Sequence, residues 1–531
     1  MVTIREMPSE HDTPPSPPPP PPPPPGPPEF TPPRRRGCIS AFIGLLIALA
    51  VLVVAGIYFH KLQYATSSIM DNDGYFHIKY SYLMSHGQGI IKKLPWLQYT
   101  IHAREYRDHH FGFHLLYVPF TFGDLREGAK TAAWVYSVLA VFMFYWVAAR
   151  RGRVTAAILT FVLLGASWLF LSRMCMARVN SLSLVALLLG IHLIITRRYR
   201  WLAAVMFGYV WLYDGFILLA GAAACFFVAE ALVERRLNWA LLKWTALGMA
   251  AGIVINPYFP GNIASYMFNL SRTAGTAQLI ERTGWEWLPL GTWELFTMSK
   301  GIWIALGLGG LLGLLRGRPT RETVGLFLMA FLATLLMLKA RRYMEIWPPL
   351  VLLFFAYAWS DYWIEAVWQR PLRGVVARSG ATVALAFLIL LTPAAFRDER
   401  ARIINTKPND YFQGAAEFVR SHSEPGSIIF NTDWDDFPYL FFFDSDNYYV
   451  VGLDQLYMKR YDPDLFDLWE KISNGSVEDP GLPIWERFSA PYAIVDRQAR
   501  PLFLLRALRD PNMKVAYEDK GCVVFRIEPP R

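Results

Sequence analysis

Apolar runs recur along the first 396 positions, and at roughly 17–25 residues most could cross the ~30 Å hydrocarbon core of a bilayer as helices. This pattern predicts an α-helical polytopic membrane domain over 38–396 with about 11 transmembrane helices. Two runs are short, and the Tyr213-Asp214-Gly215 break between them fits either a kink or a re-entrant pair. The predicted spans are 39–58, 125–148, 154–172, 179–196, 201–214, 216–233, 239–256, 301–315, 322–338, 346–364 and 379–396.

Arginine clusters between the runs predict the orientation of the chain. Short loops rich in Lys and Arg stay on the cytoplasmic side of a membrane. If the N-terminus is cytoplasmic, alternation of the spans places five such clusters inside, and the C-terminus and the loops 59–114 and 257–299 outside. We favour a bacterial inner membrane with a periplasmic C-terminal domain. The clusters are Arg150/Arg151/Arg153, Arg197/Arg198/Arg200, Arg235/Arg236, Arg316/Arg318/Arg321 and Arg370/Arg373/Arg378.

Composition agrees with a membrane protein, since 54% of the residues are hydrophobic and only 18% are charged. The net charge of +9 could suggest a nucleic-acid partner. However, the arginines lie in short clusters between apolar runs, so we predict membrane orientation and no nucleic acid. The four cysteines are scattered and form no disulfide framework.

The two ends of the chain differ from the membrane domain. Residues 1–37 contain a long proline tract and predict a disordered, cytoplasmic tail. Residues 397–531 alternate helical stretches with short β-type runs and predict an external soluble α/β domain. The last two runs flank Asp519-Lys520-Gly521, which predicts a hairpin. The predicted strands are Ser427–Phe430, Tyr448–Val451, Tyr492–Val495, Lys514–Tyr517 and Val523–Ile527.

The external loop 59–114 concentrates the acid–base and metal-binding groups, including seven of the ten histidines from His60 to His114. Asp71 and Asp73 directly follow the first span. In an extended segment, both carboxylates would lie on one side, where they could share a divalent cation or divide metal and base roles. Alternatively, Asp73 is the N-cap of a helix over Tyr75–Met84.

A second cluster closes the same loop. His110 and His114 are four residues apart, so on a helix they share a face and could bind one metal ion. Asp108 and His109 directly precede them. The cluster therefore predicts metal ligation or binding of a charged or sugar substrate, while ordinary hydrogen bonding remains the alternative.

Cations at two outer turns oppose the orientation rule. Arg173 and Arg178 flank one turn, and Lys339, Arg341 and Arg342 flank another. They would either extend to lipid headgroups or bind a lipid phosphate, because a guanidinium pairs bidentately with phosphate.

Tryptophans mark the second external loop, which starts near Pro257. An interfacial belt is the simplest interpretation, and stacking on a sugar ring is the alternative. The tryptophans are Trp285, Trp287 and Trp293.

A first span, an external loop that opens on an acidic pair, many further spans and an external α/β domain together resemble the GT-C superfamily. These integral membrane glycosyltransferases use sugars linked to polyprenyl or dolichyl phosphate, and include oligosaccharyltransferase catalytic subunits. The segment Asp71–His77 is similar to the family's first-loop acidic motif, and the layout matches over 38–531. Two features depart from the family: the Trp-Trp-Asp motif is missing, with only a superficial likeness in Thr432–Asp436, and Arg173–Asn180 lacks the second acidic pair.

The resemblance implies transfer of a sugar from a polyprenyl-phosphate donor to a glycan, lipid or protein acceptor at the outer face. It implies Asp73 as the base, with Asp71 and Asp108 as polar or metal partners. A divalent cation (Mg or Mn) would bind Asp71, Asp108 and His110. The alternatives are a polytopic transporter, with Asp214 as the clearest intramembrane candidate, and a non-catalytic protein that binds the lipid carrier.

Overall fold

A computed structural model of the chain describes residues 38–274, 284–316, 319–369 and 393–528. Four predictions therefore lie outside the described residues, at least in part: the proline-rich tail, Arg318, the Arg370–Arg378 cluster and most of the span 379–396. By internal contacts the chain divides into Met1–Leu45 and Leu46–Arg531. Of the first unit, the described part is the start of the first helix, and apart from those residues everything below concerns the second unit.

The helical domain contains long helices, short helices and single turns of 3₁₀-helix. The helices are α1 Cys38–Gln63, α2 Asn72–Leu83, α3 Phe111–Tyr117, α4 Leu125–Ala148, α5 Arg153–Leu164, α6 Trp168–Cys175, α7 Asn180–Ile195, α8 Tyr199–Leu212, α9 Ile217–Val233, α10 Trp239–Val254, α11 Gly261–Ala274, α12 Thr292–Met298, α13 Lys300–Arg316, α14 Arg321–Lys339, α15 Trp347–Gln369 and α16 Pro393–Ile404.

Four helices of the described residues are long and apolar enough to cross a membrane, or up to six if each of two bent pairs counts as one span. The chain is thus a membrane protein, while the predicted number of 11 spans is not confirmed. The predicted span 154–172 is not one straight helix, because α5 and α6 meet at 90°. The Ser167 hydroxyl accepts a hydrogen bond from the Phe170 amide and caps the new helix there. A second bend, of 84°, separates α12 from α13.

Four of the predicted inner loops meet at one end of the helical domain. Arg151 lies 3.6 Å from Glu322 at the start of α14, and Arg197 lies 2.6 Å from Glu234 after α9. Arg321 donates a hydrogen bond of 2.7 Å to the carbonyl of Ile195, the last residue of α7. Since α7 and α14 are about 24–29 Å long, their other ends lie close to one hydrocarbon thickness away.

The predicted orientation can be tested directly. A reporter enzyme that is active only in the cytoplasm should remain inactive when fused after Arg531 and become active when fused at Arg197. The fusion at Arg197 is the positive control, because that arginine belongs to the ion-paired end described above. Activity of the C-terminal fusion alone would reverse the predicted orientation.

The C-terminal domain is built on a mixed five-stranded sheet, and all five predicted strands are present. The strands are β1 Ile428–Asn431, β2 Tyr448–Tyr449, β3 Tyr492–Asp496, β4 Met513–Glu518 and β5 Cys522–Ile527, in the order β2-β1-β3-β5-β4. β1 is parallel to β2 and β3, whereas β5 is antiparallel to β3 and β4. The helices of the domain are α17 Gln413–His422, α18 Phe437–Phe443, α19 Leu456–Tyr461, α20 Pro463–Ser473, α21 Gly481–Phe488 and α22 Pro501–Ala507.

The predicted hairpin joins β4 and β5. The Asp519 carboxylate accepts hydrogen bonds from the amides of Gly521 (2.8 Å) and Cys522 (2.7 Å), which stabilises the turn.

The first external loop joins the membrane helices to this domain. The amide of Tyr449 in β2 donates a 2.7 Å hydrogen bond to the Trp96 carbonyl, so the loop pairs with the edge of the sheet. The Trp96 indole in turn donates to the Ser445 carbonyl at 2.7 Å. Tyr75 of α2 packs on Tyr439 of α18, with ring centroids 4.6 Å apart. These contacts fix α2 between the membrane helices and the C-terminal domain.

Candidate active site

A cavity of about 510 Å³ lies where α2, the ends of the membrane helices and the C-terminal domain meet. Its wall combines carboxylates, arginines, histidines and aromatic rings. Such a mixture suits a polar ligand that carries both a charged group and a flat apolar face. The wall includes Asp71, Asn72, Asp73, His77, His109, His110, Arg173, Arg178, Tyr213, Asp214, Trp285, Glu286, Trp287, Arg342, Trp434 and Asp435.

The acidic pair lies at the N-terminus of α2. Asp71 is the N-cap residue with extended backbone (φ −146°, ψ 142°), and Asp73 lies in the first helical turn. Both alternatives predicted for this segment therefore need correction. The segment Asp71-x-Asp73 is not extended throughout. The N-cap residue is Asp71 and not Asp73, so the helix begins at Asn72 and not after Asp73. The Asp71 side chain makes no capping hydrogen bond, because it turns to Arg178 instead.

The guanidinium of Arg178 lies between the two carboxylates. Its Nε and Nη2 atoms both bind Asp71, the second at 2.6 Å, in a bidentate pair. Its Nη1 atom lies 3.0 Å from Asp73. One fixed positive charge thus occupies the position between the carboxylates that was predicted for a divalent cation.

Asp73 has an unusual acidity for an aspartate. Burial raises its pKa and Arg178 lowers it, and with the neighbouring carboxylates of Asp71, Asp435 and Glu286, which also raise it, the pKa is about 7. A carboxylate with a pKa near neutrality can accept a proton from a bound nucleophile and later release it. This pKa therefore suits Asp73 for general-base chemistry.

Three arginines from two separate parts of the chain converge on Glu286. Its carboxylate lies 2.5 Å from Arg173, 3.6 Å from Arg342 and 3.9 Å from Arg178. Burial acts to raise the pKa of Glu286, but the arginines outweigh it and hold the pKa well below its usual range. Glu286 is therefore an anion, and its position shows where the three guanidinium groups can bind a negative charge. Arg173 is further held by Glu345 at 2.8 Å.

Two tryptophans of the second external loop stack on arginines. The Arg342 guanidinium lies 4.0 Å from the ring centroid of Trp287, and that of Arg341 lies 5.0 Å from the centroid of Trp285. Arg341 does not line the cavity, because it donates to the carbonyls of Leu288 and Pro289. The third tryptophan, at 293, is 77% exposed, as an interfacial position would require.

The C-terminal domain contributes Trp434 and Asp435 to the cavity. Asp435 accepts a 2.8 Å hydrogen bond from the Asn72 side chain, which lies between the acidic pair in sequence. Burial, together with Asp433, raises the pKa of Asp435 to about 6. The segment Thr432–Asp436 thus reaches the acidic pair, although its sequence has only a superficial likeness to the family motif.

The four predicted site residues between Asp108 and His114 separate into two pairs. His109 and His110, which were predicted to bind substrate, line the cavity, and His110 stacks on Tyr213 with ring centroids 5.4 Å apart. Asp108 and His114 are buried behind the wall, where the Asp108 carboxylate accepts a 2.7 Å hydrogen bond from His114. The predicted four-residue spacing of His110 and His114 therefore does not produce a shared metal face.

The residues present do not fit the predicted divalent cation. Asp71 is paired with Arg178, while Asp108 binds His114 and the His110 amide. Across the described ranges, no three His, Cys, Asp or Glu side chains come together in a way that could hold a metal ion.

Several wall residues were not predicted as site residues. His77 lies in the segment Asp71–His77 with no predicted role, and Asp214 is predicted only as an intramembrane group of a transporter. Asp214 instead accepts a 2.8 Å hydrogen bond from Asn269 at the cavity. Glu286 lies between Trp285 and Trp287 in the sequence. An acidic residue between two aromatic residues in a predicted external loop is the sequence feature that could have pointed to it as a site residue.

No protein-family model matches the sequence, and no curated protein matches it either. Solved structures do match its fold. The archaeal oligosaccharyltransferase AglB from Archaeoglobus fulgidus, in complex with an inhibitory peptide and a dolichol-phosphate, is 12% identical. The match covers 87% of this chain and 71% of that one, with a TM-score of 0.64.

Two further structures match over similar lengths. The Archaeoglobus fulgidus oligosaccharyltransferase in complex with Zn and sulfate is 13% identical over 90% of this chain and 73% of that one, with a TM-score of 0.60. ArnT from Cupriavidus metallidurans bound to undecaprenyl phosphate is 16% identical over 92% and 98%, with a TM-score of 0.53. The overall fold that the resemblance implied is thus confirmed, since this chain shares it with these three solved structures.

Proposed function

We propose that this protein is a membrane glycosyltransferase that moves a sugar from a polyprenyl-phosphate carrier to an acceptor at the outer membrane face. The observation that carries the proposal is the cavity, in which an acidic pair faces three converging arginines. The fold supports it, because the similar structures include two with a lipid phosphate bound, namely dolichol-phosphate in AglB and undecaprenyl phosphate in ArnT.

The arginines would bind the carrier phosphate. Arg173, Arg178 and Arg342 already surround the carboxylate of Glu286, which shows that their guanidinium groups can converge on one anion. Charge-assisted hydrogen bonds to a phosphate would stabilise the negative charge that grows on the leaving group as the glycosidic bond breaks.

Asp73, which lies 3.0 Å from Arg178, would act as the base. Its pKa of about 7 allows it to take a proton from the acceptor while the acceptor attacks the anomeric carbon. Direct attack would invert the configuration of that carbon. Asp71 would act indirectly, because its bidentate pair with Arg178 holds that guanidinium 3.0 Å from Asp73. No step requires a metal ion at these residues.

The two alternatives have less support from the site. A transporter should carry its ionisable groups near the middle of its spans. Asp214, the candidate for that role, instead lies at the cavity with Asn269. A protein that only binds the carrier would need the arginines, but it would not need an aspartate with a pKa near neutrality.

The decisive experiment measures transfer with the purified full-length chain in detergent. Radiolabelled hexoses linked to undecaprenyl phosphate are incubated with a mixture of glycan, lipid and peptide acceptors. Release of undecaprenyl phosphate together with a labelled product supports the proposal. If the carrier binds but no sugar is released with any acceptor, the protein is a carrier-binding protein and the proposed activity is wrong.

Arg342→Ala is expected to weaken binding of undecaprenyl phosphate by about ten- to a hundredfold, since a charge-assisted hydrogen bond contributes about 1.5–3 kcal/mol. Arg342→Lys should recover only part, because an ammonium lacks the planar, two-pronged geometry of a guanidinium. The measurement is a titration of the purified protein with undecaprenyl phosphate.

Arg402→Ala is the matched control for this titration. Arg402 also stacks on a tryptophan, with its guanidinium 3.6 Å from the ring centroid of Trp168, but it does not line the cavity. Its removal should leave carrier binding unchanged. Equal loss in both alanine variants would mean that stacked arginines support the fold and do not bind the phosphate.

A further inference from the structure

Three side chains form a hydrogen-bonded chain that ends at the cavity. The Asp108 carboxylate lies 2.7 Å from Nδ1 of His114, and Nε2 of His114 lies 2.8 Å from Nδ1 of His77. Asp108 and His114 are buried behind the cavity wall, whereas His77 lines the cavity. The mechanism proposed above uses none of these three residues.

The order of partners determines which nitrogen of each ring carries the proton. An ionised carboxylate can only accept a hydrogen bond, so His114 must donate from Nδ1 to Asp108. A neutral His114 then has a lone pair on Nε2 and accepts from Nδ1–H of His77. A neutral His77 is left with a lone pair on Nε2. The hydrogen bonds from Asp108 through His114 to His77 therefore make Nε2 of His77 a hydrogen-bond acceptor.

The surroundings of His77 leave its Nε2 atom available to accept a hydrogen bond from a ligand. Within the described part of the chain, no hydrogen bond engages its Nε2 atom. His110 packs edge-on against the ring, with ring centroids 5.2 Å apart, and burial together with His114, Arg178 and His109 lowers the pKa of His77 well below its usual value. The ring therefore stays neutral near pH 7.

The position of His77 matches a sugar. Asp73 and His77 are four residues apart on α2, so their side chains emerge about 5–6 Å apart on one helix face. Two groups at that spacing can each bind one of two adjacent hydroxyls. Aromatic rings of Trp285, Trp287 and Trp434 in the same wall provide the flat apolar surfaces on which sugar rings pack.

We propose that Asp108 and His114 hold His77 in one tautomer, and that His77 Nε2 binds a hydroxyl of a sugar, either the one on the carrier or that of the acceptor. The inference rests on the proposed function and specifies its ligand. His77 is then a specificity residue, and Asp108 and His114 are positioning residues. No covalent step is assigned to them.

The first arm of the test uses the carrier. Wild-type protein is titrated with undecaprenyl phosphate alone and with undecaprenyl phosphate that carries glucose, mannose or galactose. The sugar should tighten binding for at least one hexose. The gain in affinity that the sugar provides should fall by about three- to tenfold in His77→Phe, since one hydrogen bond contributes about 1 kcal/mol. His77→Gln should retain part of this gain in affinity, because its amide oxygen can accept the same hydrogen bond.

The second arm uses the acceptor side. The protein is first saturated with undecaprenyl phosphate and is then titrated with the methyl glycosides of the same three hexoses. A loss in His77→Phe that occurs only here assigns the histidine to the acceptor sugar. A loss only in the first arm assigns it to the carrier-linked sugar.

The variants of His114 test whether the hydrogen bonds from Asp108 through His114 position His77. Glutamine can donate to Asp108 from its amide nitrogen and accept from His77 at its amide oxygen, so His114→Gln should preserve the sugar-dependent gain. His114→Phe can do neither and should reduce the gain, because His77 is then free to exchange tautomers. The gain of the wild type should stay constant between about pH 6 and 8, as expected for a histidine that remains neutral there. His422→Phe, at an exposed histidine of the C-terminal domain, is the control.

The outcomes separate this inference from the proposed function. If bare undecaprenyl phosphate binds and the hexoses add nothing, or if His77→Phe keeps the full gain, the assignment of His77 is overturned while the carrier site stands. Equal gains in His114→Phe and His114→Gln would overturn the positioning role. If the carrier itself does not bind, the proposed function fails, and the inference fails with it.

Discussion

Replacing Asp73 with asparagine is expected to lower the turnover of sugar transfer by about 10²–10⁴-fold, which is the usual contribution of general-base catalysis. Asparagine has almost the same size and the same tolerance for a first helical turn, but it cannot accept a proton. Binding of undecaprenyl phosphate should be retained, because the arginines remain. The measurements are single-turnover transfer and carrier titration on the same preparation.

The pH dependence provides a second readout for the same residue. The basic form of Asp73 is the ionised one, so wild-type activity should fall as the pH drops through about 7, where burial has placed the pKa. In Asp73→Asn the residual activity should lose this dependence. A residue that only shapes the helix terminus would change the rate without removing the titration.

Asp124→Asn is the matched control, because Asp124 caps α4 through the amides of Arg126 and Glu127, at 2.9 and 3.0 Å. Asn and Asp are equivalent as N-caps, so this variant should be fully active. Near-normal turnover in Asp73→Asn would remove Asp73 from the reaction and leave it as a residue of the helix terminus.

Arg178→Ala is expected to be the second most damaging change. It removes the cation held between Asp71 and Asp73 and leaves two carboxylates facing each other across a partly buried site. The loss of these charge-assisted hydrogen bonds should lower the free energy of unfolding by about 2–3 kcal/mol. Arg178 also lowers the pKa of Asp73. Without it, the activity that remains should require a higher pH.

Thermal unfolding and the pH profile of transfer test these two consequences separately. Arg178→Lys keeps the charge and should restore the position of the pH profile better than the stability, because an ammonium cannot form the bidentate pair with Asp71. An alanine variant with the wild-type pH profile would show that Arg178 does not act on Asp73.

Local sequence patterns determined much of this protein. The lengths of the apolar runs predicted a helical membrane protein, although the number of 11 spans is not confirmed, and short β-type runs separated by turn residues predicted all five strands of the C-terminal sheet. The loop 59–114 was predicted to concentrate the reactive groups, and four of its predicted site residues, Asp71, Asp73, His109 and His110, line the cavity. These features depend on residues that are near each other in the chain.

Only the tertiary structure decided which of these groups act together. Arg178 lies more than a hundred residues after Asp71 and Glu286 another hundred residues further, yet their side chains meet in one cavity. The spacing of His110 and His114 suggested one metal face, but packing directed His114 inward to Asp108. An ion pair or a buried hydrogen bond depends on distances of about 3 Å in space, and no pattern along a single sequence contains such distances.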